Sequence, residues 1–325
     1  MKRYRKIKKI HFKSYNVVYH SRYKKYQVEW YFGNVCNERC SYCLNRHTYK
    51  EYYRNMTHEE TKKVCDFIKN QIHGLQQLTF IGGEPSCYKD LFFALDYLKP
   101  KCLVNIMTNG NDEKFFKECC EIATLHMPIL ICCSAHYETF LRNPRKYIEH
   151  IDRLVRMANS YKFVELEFNL LLDKQKTKDY KQLIEHLYYK IHKKYGNNLV
   201  ISYVRRDYNA EETVKNVASC LYFDKELSKF LIDNIKGERL SFLQHNEYCG
   251  EKCPIFQNYC YIELDGRLTS CSCEQAITTK KSIFDKDFDL KKEQKHNIVC
   301  NLQHQSNNGT CYHVHGLFQM GDEWK

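Results

Sequence analysis

Cys36-Asn-Glu-Arg-Cys40-Ser-Tyr-Cys43 sets three thiols within one short loop of chain. Thiolates hold both iron–sulfur clusters and zinc, and a cubane takes four ligands where this loop offers three. An iron left without a protein ligand would be open to a substrate or cofactor. Zinc is the rival occupant, because His47 lies four residues beyond Cys43 and would complete a tetrahedral set. A second segment, Ile81-Gly82-Gly83-Glu84-Pro85, adds a different chemistry. Its glycines admit a close backbone approach to a ligand, and the Glu84 carboxylate can accept hydrogen bonds from an ammonium group.

In this order and spacing, the two segments resemble the radical S-adenosylmethionine superfamily, with its CxxxCxxC loop and Gly-Gly-Glu-Pro motif. The resemblance spans about residues 27 to 205 and implies a 4Fe–4S cluster on Cys36, Cys40 and Cys43 with S-adenosylmethionine at its open iron. It assigns Gly82, Gly83 and Glu84 to the amino group of the cofactor's methionine, and Tyr42, the aromatic residue before Cys43, to the adenine. Thr108-Asn109-Gly110 and Ser134-Ala135-His136 look like the family's cofactor-contacting strand ends. Asn109 and Ser134 offer small polar groups for the ribose or the methionine carboxylate. His136 is a candidate for substrate contact or proton transfer, although a histidine after a strand is more often structural. The implied reaction is one-electron reduction of the cofactor's sulfonium, giving methionine and a 5′-deoxyadenosyl radical that abstracts hydrogen from a substrate. The protein then has to orient the sulfonium, exclude water and aim the radical.

Alternating local patterns place these segments. Val28, Trp30 and Phe32 repeat at period two and predict a strand over residues 27–34, running into Cys36. Thr57 and Glu60 form a capping box, followed by Val64, Phe67, Ile68 and Ile72 at helical spacing. Further strands are expected at 78–81, 102–107, 129–134, 164–172 and 199–204, with helices at 88–98, 113–123, 144–158 and 179–192. Such serial strand–helix units favour an α/β fold with a parallel sheet, here a partial (β/α)6 TIM-type barrel whose ligands sit at the carboxyl ends of the strands.

Seven cysteines follow residue 248: Cys249, Cys253, Cys260, Cys271, Cys273, Cys300 and Cys311. Twelve residues separate Cys253 from Gly266 and four separate Gly266 from Cys271, which looks like the opening of the SPASM or twitch auxiliary-cluster extensions. The later C-x2-C-x5-C-x3-C run of a full SPASM pattern is absent. One auxiliary iron–sulfur cluster is therefore expected, with these cysteines as its candidate ligands. Structural zinc, with His313 or His315, is the competing occupant. Residues 261–268 read as a β-hairpin that would mount the thiolates. Cys65, Cys102, Cys119, Cys120, Cys132, Cys133 and Cys220 lie on expected helices or strands, where cysteine packs as a small hydrophobe, while Cys87 is ambiguous.

The organisation expected is a basic arm over residues 1–26, the partial barrel over 27–245 and a cysteine-rich module over 246–325. Net charge is +12, and residues 1–28 hold ten Lys or Arg and no acidic residue. That arm is either a solvated face or a contact for RNA, a peptide or an acidic electron donor. No signal-type or membrane-length apolar run is visible, so a cytoplasmic enzyme is expected, its 18 cysteines serving as metal ligands or buried thiols rather than disulfides. Auxiliary-cluster extensions are frequent in peptide-modifying members of the family, which makes a peptide the expected substrate. RNA, a nucleotide or another small metabolite is the alternative, and a ferredoxin or flavodoxin would supply electrons. A non-catalytic zinc-binding or nucleic-acid-binding protein is the reading from another class.

Overall fold

The computed structural model describes residues 10–12, 15–17, 26–43, 53–172, 177–203, 225–231, 252–270 and 278–299. Strands β1 (Ile10–Phe12) and β2 (Tyr15–Val17) pair antiparallel as a small hairpin in the basic arm. The central sheet contains β3 (Tyr26–Tyr31), β4 (Leu75–Ile81), β5 (Leu103–Thr108), β6 (Ile129–Ala135), β7 (Val164–Leu172) and β8 (Asn198–Tyr203), all six of the strands expected from the pattern. Neighbours from β3 to β8 pair parallel and in chain order. Helices α1 (His58–Gln71), α2 (Leu91–Leu98), α3 (Glu113–Glu121), α4 (Tyr137–Arg142) and α5 (Pro144–Asn159) fill the crossovers. Helix α6 (Lys181–Glu185) continues into a π-helical stretch, His186–Lys193.

The capping box is formed as expected: the Thr57 hydroxyl accepts from the Glu60 N–H, and the Glu60 carboxylate accepts from the Thr57 N–H. Alternation along the strands sends one set of side chains under the helices. Val28, Trp30, Phe32, Leu78, Phe80, Val104, Ile106, Ile131 and Phe168 form the core there. On those strands Glu29, Asn105, Cys132, Glu165 and Glu167 occupy alternate positions, so the other face carries polar groups among its apolar ones.

The sheet is larger than the six expected units. Strand β9 (Lys252–Ile255) pairs antiparallel with β12 (Lys295–Val299), while β10 (Tyr259–Ile262) and β11 (Leu268–Thr269) make the expected hairpin. Strand β10 also lies parallel to β3, with Cys260 opposite Val28 and Ile262 opposite Trp30. The order is β11-β10-β3-β4-β5-β6-β7-β8, with β11 and β8 at opposite edges, so the barrel is partial and does not close. The β10–β11 hairpin is thus continuous with the central sheet, while β9 and β12 form a separate pair. A short helix, α7 (Leu290–Glu293), docks beside α1 through the Gln71 side chain, which accepts from the Leu290 N–H at 2.7 Å.

Cys260, expected among auxiliary ligands, is fully buried in the core, where burial pushes its thiol up to about 12. It packs as a hydrophobe with Tyr26 alongside, and the structure removes it from the set of accessible thiols. Cys249, Cys271, Cys273, Cys300 and Cys311 lie outside the described residues, and Cys253 is described only by its backbone in β9. Ile262 is also fully buried under β3. Ile262→Ala is expected to cost about 2–5 kcal/mol and to lower the unfolding midpoint of the central sheet, read by denaturant titration of Trp30 fluorescence. An unchanged midpoint would show that β10 contributes nothing to that sheet.

Candidate active site

The cysteine loop leaves β3 and is joined at once to the loop that follows β4. The Gly83 N–H donates to the Gly33 carbonyl at 2.8 Å, and the Glu84 N–H donates to the Val35 carbonyl at 2.9 Å. A Cβ at Gly82 would stand 2.3 Å from the Gly33 carbonyl oxygen, and one at Gly83 would stand 2.2 Å from that of Val35. Gly33 and Gly82 also hold φ of +146° and +144°, a backbone region that side chains disfavour. These glycines therefore bring backbone against backbone: the close approach read from the sequence is made by the cysteine loop itself.

Two asparagines, Asn34 of the cysteine loop and Asn55 before α1, tie the junction to the segment that leads into α1. Asn34 accepts from the Arg54 N–H at 2.9 Å, while Asn55 accepts from the Val35 N–H at 3.2 Å and donates to the Cys87 carbonyl at 2.9 Å. The Tyr53 hydroxyl clasps the Cys36 peptide, accepting from its N–H at 3.1 Å and donating to its carbonyl at 3.0 Å.

Glu84 points from this junction toward the end of β5. Its carboxylate is 2 % exposed and accepts from the Thr108 hydroxyl at 2.6 Å, the Asn109 N–H at 2.7 Å and the Ser86 N–H at 3.2 Å. Burial raises its pKa, while the donors from Asn109, Thr108 and Ser86 oppose that rise. With four lone-pair sites and three donors from its own chain, the carboxylate keeps capacity for one more. The Asn109 side-chain amide in turn donates to the Asn37 side-chain oxygen of the cysteine loop at 2.6 Å and accepts from the Asn111 N–H at 2.9 Å. The loops after β3, β4 and β5 thereby form one hydrogen-bonded rim.

A second set of contacts comes from β6 and α4. Ser134 sits on β6 opposite Asn169 of β7, on the strand face turned away from Cys133 and Ala135. His136 follows, its Nδ1 lying 2.6 Å from the Tyr42 hydroxyl and 3.5 Å from Cys40 Sγ. The Tyr42 ring lies near-parallel to His136 and tilted against Tyr137. Glu138 accepts from the Ser41 N–H and hydroxyl, and Arg142 donates to Glu38, which Asn111 also reaches. Burial lowers His136 to about 4, so its ring is neutral at physiological pH.

The structure brings together Cys36, Cys40, Cys43, Tyr42, Gly82, Gly83, Glu84, Asn109 and His136, with Ser134 two residues before His136. Asn37, Glu38, Asn55 and the α4 residues Glu138 and Arg142 join the site without having been expected there. Asn37 and Glu38 were visible as polar residues inside the cysteine triple, but their partners come from strands far along the chain. His47 lies outside the described residues.

The donor set fits an iron–sulfur cluster. Burial pushes Cys36 and Cys40 up to about 11, with Cys43 adding like charge to both, whereas the Glu38 N–H and the Tyr42 hydroxyl favour their thiolates. Metal binding would supply the positive charge that holds such thiols deprotonated. Among the described residues no three His, Cys, Asp or Glu side chains gather around one point to hold a single metal ion. The thiolates of a cubane attach instead to separate irons.

Residues 30–187 match the model of the Radical SAM superfamily. This stretch is a radical SAM domain. Such domains belong to enzymes built on a 4Fe–4S cluster and S-adenosylmethionine, and the chain is an enzyme of that kind. Solved structures share the fold at low identity. Native anSMEcpe with bound AdoMet and Kp18Cys peptide is 18 % identical, with a TM-score of 0.51 over 84 % of this chain and 77 % of that one. Streptococcus suis SuiB bound to S-adenosylmethionine is 15 % identical, with a TM-score of 0.51 over 83 % of this chain and 65 % of that one. No curated protein matches the chain in sequence. Among the described residues no helix is long and apolar enough to cross a membrane.

Two substitutions test the rim. Gly83→Ala drives a methyl group into the Val35 carbonyl and is expected to reduce iron retention and the unfolding midpoint together. Glu84→Gln leaves one buried donor facing an NH2 group and is expected to cost about 1–3 kcal/mol, measured by denaturant unfolding. Wild-type stability in either variant would contradict the packing described.

Proposed function

We propose that the radical SAM domain carries its cluster on Cys36, Cys40 and Cys43, binds S-adenosylmethionine along Gly82–Glu84, Asn109 and Ser134, and abstracts hydrogen from a peptide. The observation that carries the cofactor assignment is the bond between Asn37 in the cysteine loop and Asn109 after β5, with Glu84 tied to the same strand end. Cluster ligands and cofactor-binding groups then share one rim at the carboxyl ends of the strands, the position where ligands collect in such sheets.

When bound, the cluster supplies the electron that cleaves S-adenosylmethionine reductively and so generates the hydrogen-abstracting radical. The chain's own residues set the conditions for that chemistry. The spare capacity of Glu84 suits an ammonium group, since the carboxylate is already fixed in direction by Thr108 and Asn109. Asn109 can position a ribose or carboxylate only while Asn37 holds it, which couples cofactor binding to the shape of the cysteine loop. His136 serves this loop through its contacts with Tyr42 and Cys40.

A peptide substrate is supported by the fold neighbours, one solved with a Kp18Cys peptide and one with its precursor peptide SuiA. We further propose one auxiliary cluster on thiols drawn from Cys249, Cys253, Cys271, Cys273, Cys300 and Cys311, supported by the spacing around the β10–β11 hairpin. A ferredoxin-like or flavodoxin-like donor in the cytoplasm would complete the electron supply.

Protein purified and reconstituted without oxygen is expected to be brown, as thiolate-bound iron–sulfur centres are, and zinc protein would be colourless. With dithionite and S-adenosylmethionine it is expected to form 5′-deoxyadenosine, and Cys36→Ala, Cys40→Ala or Cys43→Ala is expected to abolish that product in a chromatographic assay. Product formed at wild-type rates by these variants would refute the assignment.

A further inference from the structure

The contact between Tyr42, His136 and Cys40 has a geometry that loop packing alone does not require. A hydroxyl, an imidazole nitrogen and a thiol meet in one triangle, with 2.6 Å between Tyr42 Oη and His136 Nδ1 and 3.5 Å between that nitrogen and Cys40 Sγ. The Tyr42 hydroxyl is also within hydrogen-bonding reach of Cys40. Each member is held from behind. The His136 N–H donates to the Tyr147 hydroxyl at 2.9 Å, and the Tyr42 ring packs at 5.1 Å on Tyr137 and at 6.0 Å on His136. Glu138 fixes the intervening Ser41 through two bonds.

A cysteine bound to iron has no proton, so its sulfur can only accept hydrogen bonds. The triangle then has few consistent arrangements. If Nδ1–H donates to the Tyr42 oxygen, the Tyr42 hydroxyl is left to donate to Sγ. If the one Nδ1–H is shared between Sγ and the Tyr42 oxygen, both accept from a bifurcated donor. In the third arrangement, with the ring hydrogen on Nε2, the Tyr42 hydroxyl donates to Nδ1 and no proton reaches the sulfur, but the unprotonated Nδ1 then faces a thiolate at 3.5 Å; the charge on that sulfur favours hydrogen on Nδ1, the tautomer that directs a proton at Cys40.

We propose that His136 is a positioning residue which, with Tyr42, aims a hydrogen bond at the Cys40 thiolate and thereby raises the reduction potential of the cluster bound there. Hydrogen bonds to cluster sulfurs are among the factors that set such potentials, because they stabilise the more negative reduced state. The inference rests on the cluster assignment made above. It gives the His136 position a role distinct from substrate contact or proton transfer, and it accounts for a histidine beside the cysteine loop whose backbone is held by the Tyr147 hydroxyl.

The test uses the full chain, reconstituted without oxygen, in wild-type form and as Tyr42→Phe, His136→Phe and His136→Asn. Tyr42→Phe removes only the hydroxyl, and His136→Phe keeps a ring to stack but no donor. His136→Asn places an amide N–H near the Nδ1 position. Potentiometric titration followed by electron paramagnetic resonance is expected to show the two Phe variants at more negative potential. At a fixed solution potential their ratio of reduced to oxidised cluster should fall roughly tenfold, equivalent to about 59 mV for a one-electron couple. The Asn variant is expected to recover most of that shift. A merely structural role would change cluster content without moving the potential. Loaded Phe variants that titrate with the wild type would overturn this inference alone, whereas a wild-type protein that takes up no cluster would overturn the underlying assignment as well.

Discussion

The site depends on two loops being pressed together as backbone. Gly33, Gly82 and Gly83 let the turn after β4 reach the strand exit of β3, and the two N–H···O bonds between them leave no space for a side chain. Because the thiols hang from one of these loops and Glu84 from the other, the union fixes the distance between the proposed cluster ligands and the proposed cofactor-binding carboxylate. No long side chain has to span that distance, so little conformational entropy is lost in holding it.

Outward from this junction the polar groups are organised by accepting and donating in turn. Glu84 gathers donors from Thr108, Asn109 and Ser86, Asn109 passes a bond back to Asn37, and Glu38 is held by Asn111 and Arg142. The cysteine loop is thus held from the β4 and β5 side and, through α4, from the β6 side. A loop fixed from both directions is pre-organised for a charged inorganic cluster, which rewards donors already pointing at its sulfurs.

Much of this was legible because it is local. Period-two alternation at Val28, Trp30 and Phe32 located β3, the Thr57–Glu60 box located α1, and the cysteine triple and Gly-Gly-Glu-Pro segment lay where strands end. What escaped depends on residues distant in sequence. The Gly82 and Gly83 contacts are with residues about fifty positions earlier, so their role as a backbone junction could not be seen in the motif itself. Helix α4 is too short to show periodicity, and its purpose emerges only when Glu138 and Arg142 meet Ser41 and Glu38. Cys260 sits among clustered cysteines in the sequence, while its alternation with Ile262 along β10 places it in the core. Parallel pairing of β10 with β3 joins segments more than two hundred residues apart, a register that no local pattern encodes.

The central claim is that three thiolates leave one iron open beside the Glu84–Asn109 rim. The measurement that addresses it most directly is the electron paramagnetic resonance spectrum of the reduced, reconstituted protein before and after S-adenosylmethionine is added. Ligation at an open iron predicts a change in the spectrum that is saturable in the cofactor and lost in Glu84→Gln. A spectrum indifferent to S-adenosylmethionine, or a protein that binds zinc in place of iron, would contradict the account.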